Sequence, residues 1–143
     1  MYSVMANRVE EVAVKYSVSE NDFTTLKIAT EGVSPDLFFD ILDFSNFTKD
    51  ELAELMDLSF KTVQRYHKQH KKFNALNSEQ LLKIVSLFQK GIQVFGSTKS
   101  FNSWLRKPAY GLGNEQPFQL LHTTGGIDLI IEEVHRIEHG ALA

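Results

Sequence analysis

The chain has 143 residues, 43% hydrophobic and 23% charged, with a formal net charge of −3. That is the balance of a folded protein, enough for one ordinary domain or two very small ones. Cysteine is absent, which excludes disulfides, thiolate catalysis and cysteine-based zinc sites.

No apolar run approaches the ~20 residues that cross a bilayer, so no membrane association is expected. The N-terminal stretch MYSVMANRVEEVAVKY has acids in its middle and no long apolar block, unlike a secretory signal, and the expected compartment is the cytoplasm. Only three prolines occur, which points to an all-α protein with few irregular linkers.

Residues 1–22 say least. Val4, Val9, Val12 and Val14 fit a weak helix or a strand. From Glu20 to Glu31, the residues Phe23, Leu26, Ile28 and Ala29 suggest a helix closed by Gly32. Ser34-Pro35-Asp36 then reads as a helix start, with Ser34 as cap and Pro35 in the first turn, where its missing N–H costs nothing. The helix it opens carries Leu37, Phe38, Ile41 and Leu42 and runs to about Phe44.

Thr48 and Glu51 form a T-x-x-E capping box at the head of the next helix. Leu52, Ala53 and Met56 make its inner stripe, Asp57-Leu58 a turn, and Ser59 the N-cap of a second short helix. There Phe60, Val63 and Tyr66 share one apolar face, leaving Lys61, Thr62, Arg65, Lys68 and Gln69 outside. This is the pattern of a helix-turn-helix, with small Ala53 permitting close approach of the two helices. Charge agrees with it. Residues 1–57 hold 12 acids and 4 bases, residues 58–77 hold five bases and no acid, and residues 78–143 hold 6 of each. One concentrated basic helix in a mildly acidic chain suits a small DNA reader, since neutralised phosphates release counterions. Thr62, Arg65 and Lys68 are candidates for base and phosphate contact. Ser59, Lys61, Gln69, Lys71 and Lys72 lie beside them, with Lys61, Lys71 and Lys72 as phosphate contacts.

Asn77-Ser78-Glu79-Gln80 reads as the start of a long helix to about Phe95, apolar on more than one side and ended by Gly96. A shorter helix, Ser97 to about Arg106, carries Phe101, Trp104 and Leu105. A turn-rich loop follows from Lys107 to Asn114. Pro117 opens a helix of one or two turns, which Thr123-Thr124-Gly125-Gly126 is expected to break. A last helix carries Ile127, Leu129, Ile130, Ile131, Val134 and Ile137 and closes at Gly140. Residues 23–75 thus form a DNA-reading unit and residues 76–143 a second helical unit, with the long helix serving both.

His135-Arg136-Ile137-Glu138-His139 matches H-x-x-E-H, the inverted zinc-peptidase signature. Catalytic zinc needs a third protein ligand and a pocket. Only four residues follow His139, so no downstream ligand is expected, and neither a metal site nor a catalytic residue is assigned. Gly111-Leu112-Gly113 lacks the lysine and preceding strand of a P-loop and reads as a turn.

The order of these pieces resembles the Xre-like antitoxins of the Xre/MbcA/ParS group. The resemblance rests on F-T-K-D-E-L-A-E-L-M-D-L-S-F-K-T-V-Q-R-Y (Phe47 to Tyr66) and V-F-G-S-T-K-S-F-N-S-W-L-R-K-P (Val94 to Pro108). It extends through G-L-G-N-E-Q-P-F-Q-L-L (Gly111 to Leu121), T-x-G-G (Thr123 to Gly126) and the terminal I-E-H-G, about residues 25–140 in all. Asp57 stands in the turn where many helix-turn-helix motifs have glycine. The resemblance implies an all-helical protein that dimerises, binds its own operator DNA and covers the active site of a NAD-consuming RES-domain toxin. It implies no enzymatic activity and no cofactor. Candidate toxin contacts on the C-terminal unit are Trp104, Arg106, Tyr110, Leu112, Glu132, His135, Arg136 and His139, although core packing is the expected role of Trp104. A second reading is a free-standing helix-turn-helix regulator whose C-terminal unit only dimerises or senses a small ligand. The two differ in whether residues 104–139 present an exposed partner surface.

Overall fold

Val9, Val12 and Ala13 recur at i, i+3 and i+4. In the computed structural model, which describes residues 4–140, they are the buried stripe of helix α1 (Val4–Lys15). The choice between helix and strand thus falls to helix. The stripe packs against α3 (Asp36–Ser45) and the long helix α6 (Ala75–Phe95). Asp40 of α3 anchors the contact, accepting from Arg8 at 2.8 Å and from Lys15 and Tyr16 at 3.0 Å each.

Helix α2 (Asp22–Glu31) is capped by the Asn21 side chain and closed by Gly32, whose φ of +87° suits a residue without Cβ. It lies on α6 through small residues, Thr25 and Ala29. Phe23 and Leu26 point outward instead, 75% and 50% exposed. Helices α4 (Lys49–Leu55) and α5 (Phe60–Lys68) follow α3. After α6 come α7 (Thr98–Leu105), 3-10 turns at Tyr110–Leu112 and Pro117–His122, and α8 (Thr124–Glu138). Among the described residues the extended pairing is one antiparallel bridge, Ala109 with Glu115. The fold is all-α, as the sequence indicates. No helix of the described residues is long and apolar enough to cross a membrane.

Helix α6 is the axis of the core. Leu81, Leu82, Ile84, Val85, Leu87, Phe88 and Ile92 are all buried, each worth ~1.5–3 kcal/mol of transfer free energy. Phe88 meets Phe44, Phe47 and Phe101 edge-on, with ring centroids 5.5, 5.4 and 5.1 Å away. Gly91 lets α7 sit this close, because a Cβ there would enter the Phe101 ring.

Two expected boundaries move. Helix α6 begins at Ala75 under Asn74, whose side chain accepts from Asn77 N. The residues expected to start it are engaged elsewhere. Asn77 donates to Met56 O at 3.0 Å, and the Ser78 hydroxyl accepts from Val33 N at 3.0 Å. The Thr-Thr-Gly-Gly stretch ends the preceding 3-10 turn at extended Thr123, as expected, but its last three residues already belong to α8. Thr123 caps it by accepting from Gly126 N at 2.9 Å. Gly126 is required there because a Cβ would collide with the Leu120 carbonyl.

Candidate nucleic-acid and partner interfaces

Local chemistry builds the α4–α5 pair. The Thr48 hydroxyl accepts from Glu51 N and the Glu51 carboxylate accepts from Thr48 N, both at 3.0 Å. The capping box read from the sequence is therefore closed in both directions. Asp57 takes the left-handed turn at φ +60°, a conformation aspartate tolerates better than most residues. Ser59 caps α5, its hydroxyl accepting from Thr62 N at 3.1 Å. Val63 is wholly buried. Half-buried Phe60 lies against Phe38 and Phe39, with centroids 6.0 and 6.2 Å away, and Tyr66 lies 5.8 Å from Phe73.

The opposite face of α5 is exposed and basic. Lys61, Gln64, Arg65 and Lys68 border one shallow hollow beside Phe39 and His67. Arg65 and Lys68 occupy the last turn, where cations complement the helix dipole. Gln69 ends the helix, donating to Arg65 O. The Lys71 ammonium sits 4.4 Å from the Tyr66 ring centre. Exposed Lys72 packs its stem beside Gly32. Thr62 is half-buried, 2.9 Å from the Ser59 hydroxyl. The His67 ring turns toward α3, 3.1 Å from Asp36.

The C-terminal candidates separate into two settings. On α7, half-buried Trp104 stacks on Phe101 and lies beside Phe95, with centroids 6.0 and 5.3 Å away. Arg106 reaches back to α4, binding Glu51 at 2.6 and 3.2 Å while lying 4.0 Å over the Phe118 ring. Hydrogen bonding from Arg106 is the main reason the Glu51 carboxyl titrates below its ordinary range.

The other setting is α8 and the turn laid on it. Tyr110 is 75% exposed and Leu112 is half-buried against the core. Glu132 and His135 line a cleft of about 400 Å³ between α2 and α8, floored by Lys83, Ser86 and Lys90 of α6. Both lysines are paired, Lys83 with Asp128 at 2.8 Å and Lys90 with Glu138 at 2.7 Å. Arg136 is exposed and binds Glu133 at 2.6 Å. His139 is exposed, 3.8 Å from Glu138. Among the described residues no three His, Cys, Asp or Glu side chains gather as metal ligands.

Two residues here escape sequence reading. Gln64 has a signal, lying at i+3 from Lys61 and i−4 from Lys68, on the same stripe. Glu133 has one too, lying at i+3 from Ile130 and i−4 from Ile137 on the apolar side of α8, where Glu132 does not lie. It is 2% exposed, and its carboxylate fills the space beside Gly111 that a Cβ would need.

Residues 26–86 match the family model described as the antitoxin Xre-like helix-turn-helix domain. Residues 90–140 match the antitoxin Xre/MbcA/ParS C-terminal toxin-binding domain. A protein described as antitoxin Xre from Photorhabdus laumondii is 25% identical over 117 residues, which is 81% of this chain and 79% of that protein. One of the same description from Yersinia enterocolitica is 25% identical over 113 residues, 78% of this chain and 76% of the relative. Among solved structures, a chain of the M. tuberculosis MbcT–MbcA toxin–antitoxin complex superposes with a TM-score of 0.60 at 16% identity. The match covers 76% of this chain and 96% of that one, and indicates a shared fold.

Proposed function

Since this chain belongs to the Xre/MbcA/ParS family of antitoxins, we propose that it neutralises a NAD-consuming RES-domain toxin and represses its own operon by binding operator DNA as a homodimer. Its place is then the cytoplasm, and it performs no chemistry of its own. The toxin-binding unit would cover the toxin through the surface of α8 and the Tyr110–Leu112 turn. Tyr110, Leu112, Glu132, His135, Arg136 and His139 lie there, with Trp104 of α7 and Arg106 just past its end as further contacts. The operator would be met by α5, through Arg65 and Lys68 toward bases and phosphates and through Lys61, Lys71 and Lys72 toward phosphates. Ser59, Thr62 and Gln69 flank that face.

The observation that carries this proposal is the position of α6. It runs from Ala75 to Phe95 and so enters both matched segments, 26–86 and 90–140. Its N-terminal half holds the helix-turn-helix in place. Gln80 donates both to Leu55 O at the end of α4 and to Leu121 O in the C-terminal unit. A dimer fits the DNA role physically, because one recognition helix spans a half-site and a two-fold pair matches a palindrome. The test is a gel shift of the DNA upstream of the chain's own gene, with and without the neighbouring gene's product. Retarded DNA and a stable protein complex support the proposal. Retarded DNA without any complex leaves a plain regulator.

A further inference from the structure

Resting on the operator-binding proposal, we infer that Gln64 is an adenine-reading residue of α5 and that Thr62 is not a base contact.

A helix turns by about 100° per residue, so Lys61, Gln64, Arg65 and Lys68 at i, i+3, i+4 and i+7 make one stripe. Buried Val63 marks the side facing the protein. All four stripe residues are exposed and border the same hollow. Gln64 is the only uncharged member. Thr62 lies off this stripe. It is half-buried, its N–H bonds the Ser59 hydroxyl, and its own hydroxyl is 2.9 Å from that oxygen. Its N–H is taken by the Ser59 cap, and its hydroxyl already engages the same oxygen.

The chemistry of the stripe then divides. Lysine supplies a point charge to phosphate or to the guanine edge, and a guanidinium reads guanine bidentately through O6 and N7. A glutamine amide carries both a donor and an acceptor, and pairs bidentately with adenine N6 and N7 in the major groove. Gln64 and Arg65 are consecutive, which places an A·T-reading group next to a G·C-reading group. Each half-site should therefore hold an A·T pair near a G·C pair.

The test is selection from a pool of randomised duplexes by the full chain, repeated with Gln64→Met, Gln64→Ala and Thr62→Val at fixed salt. Methionine keeps the length and helix preference of glutamine but not its hydrogen bonds, and circular dichroism verifies helix content. Gln64→Met should lose preference at one A·T position per half-site and bind the wild-type motif roughly 5- to 150-fold more weakly. Its salt dependence should stay unchanged, because no phosphate contact is removed. Thr62→Val should select the wild-type motif. An unchanged motif from Gln64→Met, or loss of the A·T preference in Thr62→Val, overturns the assignment while DNA binding stands. If the wild-type chain enriches no motif, operator binding and this assignment fall together.

Discussion

Arg106 grips Glu51 across 55 positions of sequence, with both terminal guanidinium nitrogens on the two carboxylate oxygens. Glu51 is also the third residue of the α4 capping box. One carboxylate therefore fixes the start of the helix-turn-helix and ties it to α7. Replacing Arg106 by Gln should destabilise the chain by about 1 kcal/mol, modest because the pair is partly exposed. Glu51→Ala should cost more, about 2 kcal/mol, since the carboxylate's bond from Thr48 N, one half of the capping box, goes with the pair. Denaturant melts of both variants measure this. An unchanged midpoint for Arg106→Gln would leave Arg106 with a partner-facing role alone.

The same pair has a pH signature. In the folded state the hydrogen bond from Arg106 holds the Glu51 carboxyl below the ordinary glutamate value. Its contribution to stability is therefore fully present above about pH 4.5 and is lost as pH falls through the folded pKa. The difference in stability between wild type and Arg106→Gln should be constant near neutrality and shrink on acidification below about pH 4.5. Melts from pH 3 to 7 read the trend directly, and a gap that widens with acid would contradict it.

Asp40 should be the anchor of α1. Replacing it with Ala leaves Arg8, Lys15 and the Tyr16 hydroxyl without their common acceptor. The expected loss is about 2–3 kcal/mol, from unpaired partly buried charge and a lost hydrogen bond. Hydrogen exchange should rise most in α1, with α6 still protected. Uniform loss of protection would mean that α1 is integral to the core instead of docked on it.

The two glycines that open α8 should respond differently. Gly126→Ala drives a methyl into the Leu120 carbonyl and should cost about 1–3 kcal/mol. A Cβ on Gly125 meets nothing within 4 Å, so Gly125→Ala should stabilise by up to about 1 kcal/mol through helix propensity. Equal effects would argue that this stretch is not helix.

What was legible in the sequence was local. Thr48 with Glu51, Ser59 and Gly96 act through bonds spanning three or four residues, and spacing alone reveals them. The start of α6 was not legible, because Asn74, Asn77 and Ser78 are all capable caps. Contacts from Met56 and Val33, 21 and 45 positions away, decide among them. Gly125-Gly126 looked like a helix breaker for a different reason: the close pass of the Leu120 carbonyl that requires Gly126 comes from the conformation of the turn before it, which composition does not show. On α5 the periodicity showed the basic face, while the contact between the Thr62 and Ser59 hydroxyls needed coordinates. The Arg106–Glu51 pair spans 55 positions and left no mark in composition or period.

On the DNA side, Arg65→Ala should weaken operator binding by ~1–3 kcal/mol without unfolding the chain, and Lys71→Ala should weaken all sequences alike and lower the salt slope by about 1. Binding titrations at several salt concentrations separate the two, and an unchanged Arg65→Ala affinity at fixed salt would remove Arg65 from the readout.

The most direct measurement is NAD consumption by the neighbouring gene's product, titrated with this chain and followed by size-exclusion chromatography of the mixture. NAD loss should be suppressed at a fixed stoichiometry, with both chains in one peak. Undiminished NAD loss and two separate peaks, with DNA binding intact, would contradict it.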